Sequence, residues 1–259
     1  MPDIHPADAF GDLAAVAADP AALAELAALL AADREARVGA RWQAIVTRHP
    51  DGDRVEARPL PDLSEVLDLL GGRILAFDTE TTGLHPFLGH RVTSVGIVAG
   101  TIGEEGFREE EGAFEARVNP GRPSSPDALA VHGMSDAELA ARPPFRAIAR
   151  EVALRLDDAV AIAHNAPFDV DFLDLEFGFT PYAGISGTAR TILDSRVIAK
   201  MLWPDEPGSL DALANRLGVD RGGRDRVHGA LADARLLARC LPGLAAAIAR
   251  RLNPMPPAP

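Results

Sequence analysis

Phe77-Asp78-Thr79-Glu80-Thr81-Thr82-Gly83 stands directly behind the apolar run Ile74-Leu75-Ala76. An apolar run this short, closed by a glycine, reads as a buried strand. Side chains alternate across a strand, so Asp78 and Glu80 share a face, roughly 7 Å apart along the chain. Two carboxylates on one face of an otherwise apolar strand are costly unless a cation sits between them. A pair of divalent metal ions would satisfy both. A strand end emerging into solvent would satisfy them without any ion.

Three more polar positions follow in order. Asp169 lies in Ala163-His164-Asn165-Ala166-Pro167-Phe168-Asp169, behind a second apolar run, Ala159-Val160-Ala161-Ile162. His228 and Asp233 lie in Val227-His228-Gly229-Ala230-Leu231-Ala232-Asp233, at the entrance to a long helical pattern. Five residues along one helix turn two side chains about 140° apart, too far to share a site. The spacing therefore predicts His228 on a loop before the helix and Asp233 in its early turns.

These three stretches resemble the three motifs of the DEDDh 3′–5′ exonucleases, the DnaQ-like family that includes the proofreading epsilon subunit of bacterial DNA polymerase III. Ala130-Val131-His132-Gly133-Met134 and Ser209-Leu210-Asp211-Ala212-Leu213-Ala214 resemble further family landmarks, in the right order. The resemblance implies Asp78, Glu80, Asp169 and Asp233 as ligands of two Mg²⁺ (or Mn²⁺) ions, with Asp78 bridging, and His228 as general base. Hard ions of this kind prefer oxygen ligands, and an imidazole suits proton transfer near neutral pH. The implied product is a nucleoside 5′-monophosphate from a 3′ end, with DNA favoured over RNA. The resemblance further suggests that the backbone at Thr81 and Thr82 meets the 3′-hydroxyl. Leu84 and Phe168 would pack on the terminal nucleotide, with ordinary core packing as the alternative. His132 and Asp127 would line its pocket, although a loop histidine such as His132 also commonly bonds nearby backbone. An exonuclease of RNA or short oligonucleotides, and a catalytically idle module holding a 3′ end or a partner, are the alternative functions.

His164 directly follows a predicted strand and is expected to fix local backbone. Asp171 and Asp174 are expected to be solvated or capping, and Asp194 to cap the helix after it. His85 and His90 belong to no recognisable pattern. Arg221, Arg224 and Arg226 form a basic cluster just before His228 that could steer a phosphate backbone.

The elements that must position these residues read as α/β. Strands are expected at 73–79, 91–99, 112–118 and 159–163, with helices at 145–156, 168–178, 196–202, 209–217 and 230–252. Three successive strands followed by alternating helices and strands suit a mixed five-stranded sheet flanked by helices. The resemblance implies the ribonuclease H-like fold. Three parts are expected: a mainly helical N-terminal extension over 1–70, an exonuclease domain over 71–252, and a frayed tail over 253–259. Within the extension, leucine spacing predicts a helix over 21–32 and a second over 33–48. A short strand is expected at 55–60 and a helix up to Leu70, closed by Gly71-Gly72. Residues 1–70 could dock, dimerise or bind a protein partner.

Composition sets outer bounds. The chain has 259 residues, and its 47% hydrophobic content supports a real core. A net charge of −12 opposes long-range attraction to nucleic acid, so contacts would be confined to a 3′ end. Cys240 is the single cysteine, and the N-terminus lacks a basic leader, so a cytoplasmic location without a membrane span is expected. Little sequence follows the last predicted helix, which leads us to expect a stand-alone or separately recruited exonuclease.

Overall fold

A computed structural model describes residues 42–49, 52–59, 61–110, 112–221 and 229–254. The described residues fall into two compact units, the smaller holding a hairpin within 42–59 and the larger holding 62–86 and 90–254.

The hairpin pairs β1 (Trp42–His49) antiparallel with β2 (Gly52–Pro59), in register from His49↔Gly52 to Trp42↔Pro59. The second expected helix, over 33–48, is therefore a strand from Trp42 onward. Ile45, Val46 and Thr47 are consecutive β-branched residues, stiff at χ1 and suited to a paired strand. The earlier expected helix, over 21–32, lies outside the described residues.

The larger unit begins with α1 (Leu63–Leu70), whose N-cap Asp62 accepts from the Ser64 amide. Val66 and Leu70 of α1 are buried in its core, so the division between units falls before this helix and not at residue 70. There follow β3 (Arg73–Thr81), β4 (Val92–Gly103), β5 (Gly106–Glu109) and β6 (Phe114–Arg117). Next come α2 (Pro126–His132), α3 (Asp136–Ala140), α4 (Ala149–Leu156), β7 (Val160–Ala163) and α5 (Ala166–Phe177). The unit closes with α6 (Ile185–Thr188), β8 (Thr191–Asp194), α7 (Ser195–Leu202), α8 (Leu210–Leu217) and α9 (Ala230–Leu252).

The sheet is mixed and has six strands in the order β5-β4-β3-β7-β8, with β6 also on β4. It is five positions wide, as expected. The sixth strand arises because β5 and β6 pair with successive halves of the long β4, Gly100–Gly103 and Ser94–Ile97. Strands β3, β7 and β8 are parallel, and β4 is antiparallel to β3.

Alternation along β3 builds two cores. Ile74 and Ala76 face a cluster with Leu237, Leu241 and Leu244 of α9, joined by Leu213 of α8. Leu75 and Phe77 face the opposite cluster, with Val152 of α4 and Phe172 and Phe177 of α5. Asp78 and Glu80 continue the α9 face, whereas Thr79 continues the α5 face. Among the described residues no helix is long and apolar enough to cross a membrane.

Candidate active site

The C-terminal end of β3 is where the carboxylates gather. Asp78, Glu80 and Asp233 each bring a carboxylate oxygen within 4.8 Å of the others. Asp233 sits in the first turn of α9, its amide bonded to the Gly229 carbonyl, as the spacing predicts. What lets α9 come so close is Gly96, paired with Asp78 across the sheet. A Cβ at Gly96 would fall 2.2 Å from the Ala230 carbonyl carbon and the Leu231 nitrogen. A glycine inside a strand pattern signals such a close backbone approach.

Asp169 arrives from the other face. Its Oδ1 accepts from the Thr79 amide at 2.8 Å and from the Thr79 hydroxyl at 2.7 Å. The parallel pairing of β3 with β7 ends at Ala76↔Ile162, which leaves the Thr79 amide for this side chain. The residue is only 2% exposed. Burial pushes its carboxyl up to about 7, against the pull of both Thr79 bonds. Asp169 thus touches the residue between Asp78 and Glu80 without joining the close trio. Its helix is braced at the far end by Glu176, which accepts from Arg91 Nε and Nη2, each at 2.7 Å, and from the Val92 amide. Arg91 also lies over the Phe179 ring.

A cavity of about 820 Å³ opens over the trio, lined also by Thr81, Leu84, Asp127, His132 and Phe168. Leu84 is 70% exposed, so core packing does not hold it there. Phe168 does both, packing against Phe172 while lining the cavity. Thr81 donates its hydroxyl to the Gly83 carbonyl. Thr82 is fully buried and does not line the cavity. Its amide donates to the Arg91 carbonyl, its hydroxyl accepts from the Arg91 amide, and its carbonyl accepts from the Ser125 amide. It therefore joins the end of β3 to the segments before β4 and α2.

His132 closes α2, where Gly133 takes the left-handed conformation that ends the helix. Its Nδ1 accepts from the Met134 amide, the backbone bond expected of a loop histidine, while Nε2 takes no hydrogen bond from the described residues. Burial lowers its pKa, with Asp136 opposing. His164 fixes backbone as expected, with Nδ1 at 2.9 Å from Ser195 Oγ and Nε2 at 3.0 Å from the Gly208 carbonyl. Asp194 caps α7 through the Arg196 and Val197 amides. Asp174 accepts from the Ser186 amide and hydroxyl at the start of α6. His228, Arg224 and Arg226 lie outside the described residues, and Arg221 pairs with Asp211 at 3.6 Å.

His85, His90 and Arg196 line the cavity too, and sequence reading alone does not reach them. A Cβ at Gly83 would strike the His90 ring at 2.3 Å, so Gly83 makes room for it. His90 is held below its ordinary pKa by burial first and Arg122 second.

The donors in the trio are carboxylate oxygens alone, a set suited to hard divalent cations such as Mg²⁺ or Mn²⁺. Three acids this close repel one another unless a cation joins them.

The family described as Exonuclease (RNase_T) matches residues 75–241. DNA polymerase III subunit epsilon of Pasteurella multocida (strain Pm70) is 37% identical over 166 residues, covering 64% of this chain and 65% of that protein. The same subunit from Rickettsia typhi (strain Wilmington) is 38% identical over 168 residues, covering 64% and 71%. The chain thus spans just under two thirds of the Pasteurella relative. Among solved structures, E. coli exonuclease I in complex with a dT13 oligonucleotide aligns with a TM-score of 0.55 at 20% identity, over 70% of this chain and 42% of that one. A 3′-exonuclease recognising a histone mRNA stem-loop aligns at 0.53 and 17%, over 67% and 64%. At those identities the two structures speak to the fold, while the span of the family match and the identity to the epsilon subunits speak to descent: the chain belongs to the exonuclease family, among its DnaQ-like 3′–5′ members.

Proposed function

We propose that this chain is a metal-dependent 3′–5′ exonuclease that releases nucleoside 5′-monophosphates from the 3′ ends of DNA. The observation that carries the reading is the convergence of Asp78, Glu80 and Asp233, with Asp169 fastened to Thr79 between the first two. These four carboxylates would hold two Mg²⁺ or Mn²⁺ ions. Both Thr79 bonds end on Asp169 Oδ1, and Oδ2 would be the oxygen that meets an ion. Bound divalent ions would offset charge on the scissile phosphate and lower the pKa of an attacking water. His228 takes the proton of that water as it attacks phosphorus, and the 3′-oxygen of the preceding nucleotide leaves. The Thr81 backbone holds the terminal 3′-hydroxyl. Exposed Leu84 and half-buried Phe168 pack on the terminal nucleotide, with His132 Nε2 and Asp127 completing its pocket.

DNA is favoured because the relatives at 37–38% identity are subunits of a DNA polymerase. The fold does not choose, since one structural neighbour holds dT13 and another recognises an mRNA stem-loop. The test is digestion of 5′-labelled single-stranded DNA and RNA with Mg²⁺ or Mn²⁺, beside Asp78→Ala and His228→Ala. Metal-dependent shortening from the 3′ end, lost in both variants and faster on DNA, is the expected result. An intact ladder from the unaltered protein on both polymers would sink the proposal.

A further inference from the structure

Among the described residues, Arg196 is the one arginine or lysine that lines the cavity over Asp78, Glu80 and Asp233. Its guanidinium differs from those of Arg73, Arg91, Arg155, Arg190, Arg216, Arg221 and Arg235, all of which pair with carboxylates. Arg196 instead donates from Nη1 to a neutral acceptor, the Asn165 side-chain oxygen, at 3.1 Å. The nearby acid, Asp194, makes no ion pair with it among the described residues, and its Oδ1 accepts from the amides of Asn165, Arg196 and Val197. A positive charge is thus held in place beside a cavity full of acids and is not neutralised by any of them.

The holding is built from parts that metal binding does not use. Asn165 has φ 76° and ψ 49°, a left-handed conformation that costs most residues strain and that asparagine tolerates best. That backbone turn ends β7 and presents the Asn165 amide oxygen to the guanidinium. On another side lies Gly208, where an added Cβ would come within 3.3 Å of Arg196 Nε and 3.0 Å of Lys200 Cε. His164 fixes Gly208 through its carbonyl. His164 and Asn165, two residues of the second motif without a task at the metals, therefore both help to seat Arg196.

We propose that Arg196 binds a backbone phosphate of the substrate strand other than the scissile one, and so fixes where the strand lies behind its 3′ end. This rests on the exonuclease reading above. The scissile phosphate belongs at the carboxylates with their ions, whereas a guanidinium held by a neutral amide keeps its full charge for a second phosphate. On a chain of net charge −12, such a local cation decides where a strand can lie.

The test is fluorescence anisotropy of a 5′-fluorescein-labelled (dT) decamer, with Ca²⁺ replacing Mg²⁺ to hold back turnover, across a salt series. Arg196→Ala is expected to weaken the strand about tenfold and to flatten the log–log salt slope by about 0.7. Arg196→Lys should restore the slope, since a point charge suffices for counterion release. Thymidine 5′-monophosphate, with its single phosphate, should lose much less affinity than the decamer in Arg196→Ala. An equal loss for both ligands, or an unchanged slope, would overturn the proposal. Gly208→Ala, which crowds the guanidinium and keeps its charge, should weaken the decamer in the same direction, and unchanged binding would count against the seat described. If the unaltered protein bound the decamer but did not shorten it in Mg²⁺, the exonuclease reading would fall while the Arg196 result stood by itself.

Discussion

Asp233 and Asp169 reach the end of β3 from opposite faces and by different means. On one face, α9 lies with its backbone against Gly96, and that steric contact sets how near Asp233 comes to β3. On the other, Asp169 is placed by two hydrogen bonds to Thr79, and its helix is fastened by the Arg91–Glu176 pair. A contact between backbones has no slack: any added atom moves the helix. A hydrogen-bonded side chain can lose one donor and keep its place through the other. The two faces should therefore respond to substitution very differently.

The largest effect is expected at Gly96. Gly96→Ala forces α9 away from β4, and a shift near 1 Å at a catalytic group costs about 100-fold in rate. The overpacked contact should also cost about 1–3 kcal/mol, read as a fall in the urea midpoint. A variant with normal nuclease rate would remove the steric account of Asp233. Next comes Glu176→Ala, which strands Arg91 on the other face. Breaking a buried pair costs about 3–5 kcal/mol, and the partial exposure of Arg91 places this one toward the low end. Glu176→Gln should recover part of that loss. Equal stability of all three proteins would mean that the brace holds nothing.

The third effect is a pH dependence confined to the Asp169 face. Burial raises this carboxyl to about 7 from an ordinary 3.8. Between those values the folded chain keeps a proton that the unfolded chain has released. Stability from this group is complete below about pH 4 and is lost as pH rises through about 7, at no more than about 1.4 kcal/mol per pH unit. In EDTA the urea midpoint should fall from pH 5 to pH 7, and Asp169→Asn should flatten that fall. A divalent ion competes with the proton, so stabilisation by Mg²⁺ should grow over the same range. Identical profiles for the two proteins would show that Asp169 is ionised throughout.

Much of this arrangement was legible in the sequence because its chemistry is local. Strand alternation put Asp78 and Glu80 on one face, and helical geometry put Asp233 in the early turns of the last helix, where the structure has it in the first. Asp194 and Ser209 cap α7 and α8, roles readable from residue type and position. What did not come through depends on distant segments or on signals easily outweighed. Gly96 gains its meaning only from the Ala230 backbone, and His90 only from the space left by Gly83. Arg196 lies 31 residues from the asparagine that seats it. The helix α2 was readable in principle, since Ser125 caps it and Pro126 occupies its first turn. The strand at Trp42–His49 was obscured by the alanine-rich helical pattern ahead of it, against which three β-branched residues weighed too little.

Thr79→Val separates the two causes acting on Asp169, and it is expected to have the smallest effect of the four. The substitution keeps shape and the backbone amide bond while deleting the hydroxyl donor. One hydrogen bond to an acid group is worth about 1 kcal/mol net, less when the acid is protonated. The loss should therefore be slight at pH 5 and fuller above pH 7. The hydroxyl favours the ionised form, so its removal lets burial push the carboxyl further up, and the EDTA profile should move to higher pH. A shift to lower pH would mean that the hydroxyl serves the protonated acid instead. Since Asp169 keeps its amide tether, the nuclease rate at saturating Mg²⁺ should fall far less than in Gly96→Ala. Comparable losses from the two variants would mean that the faces are equally intolerant and that hydrogen bonding confers no slack at this site.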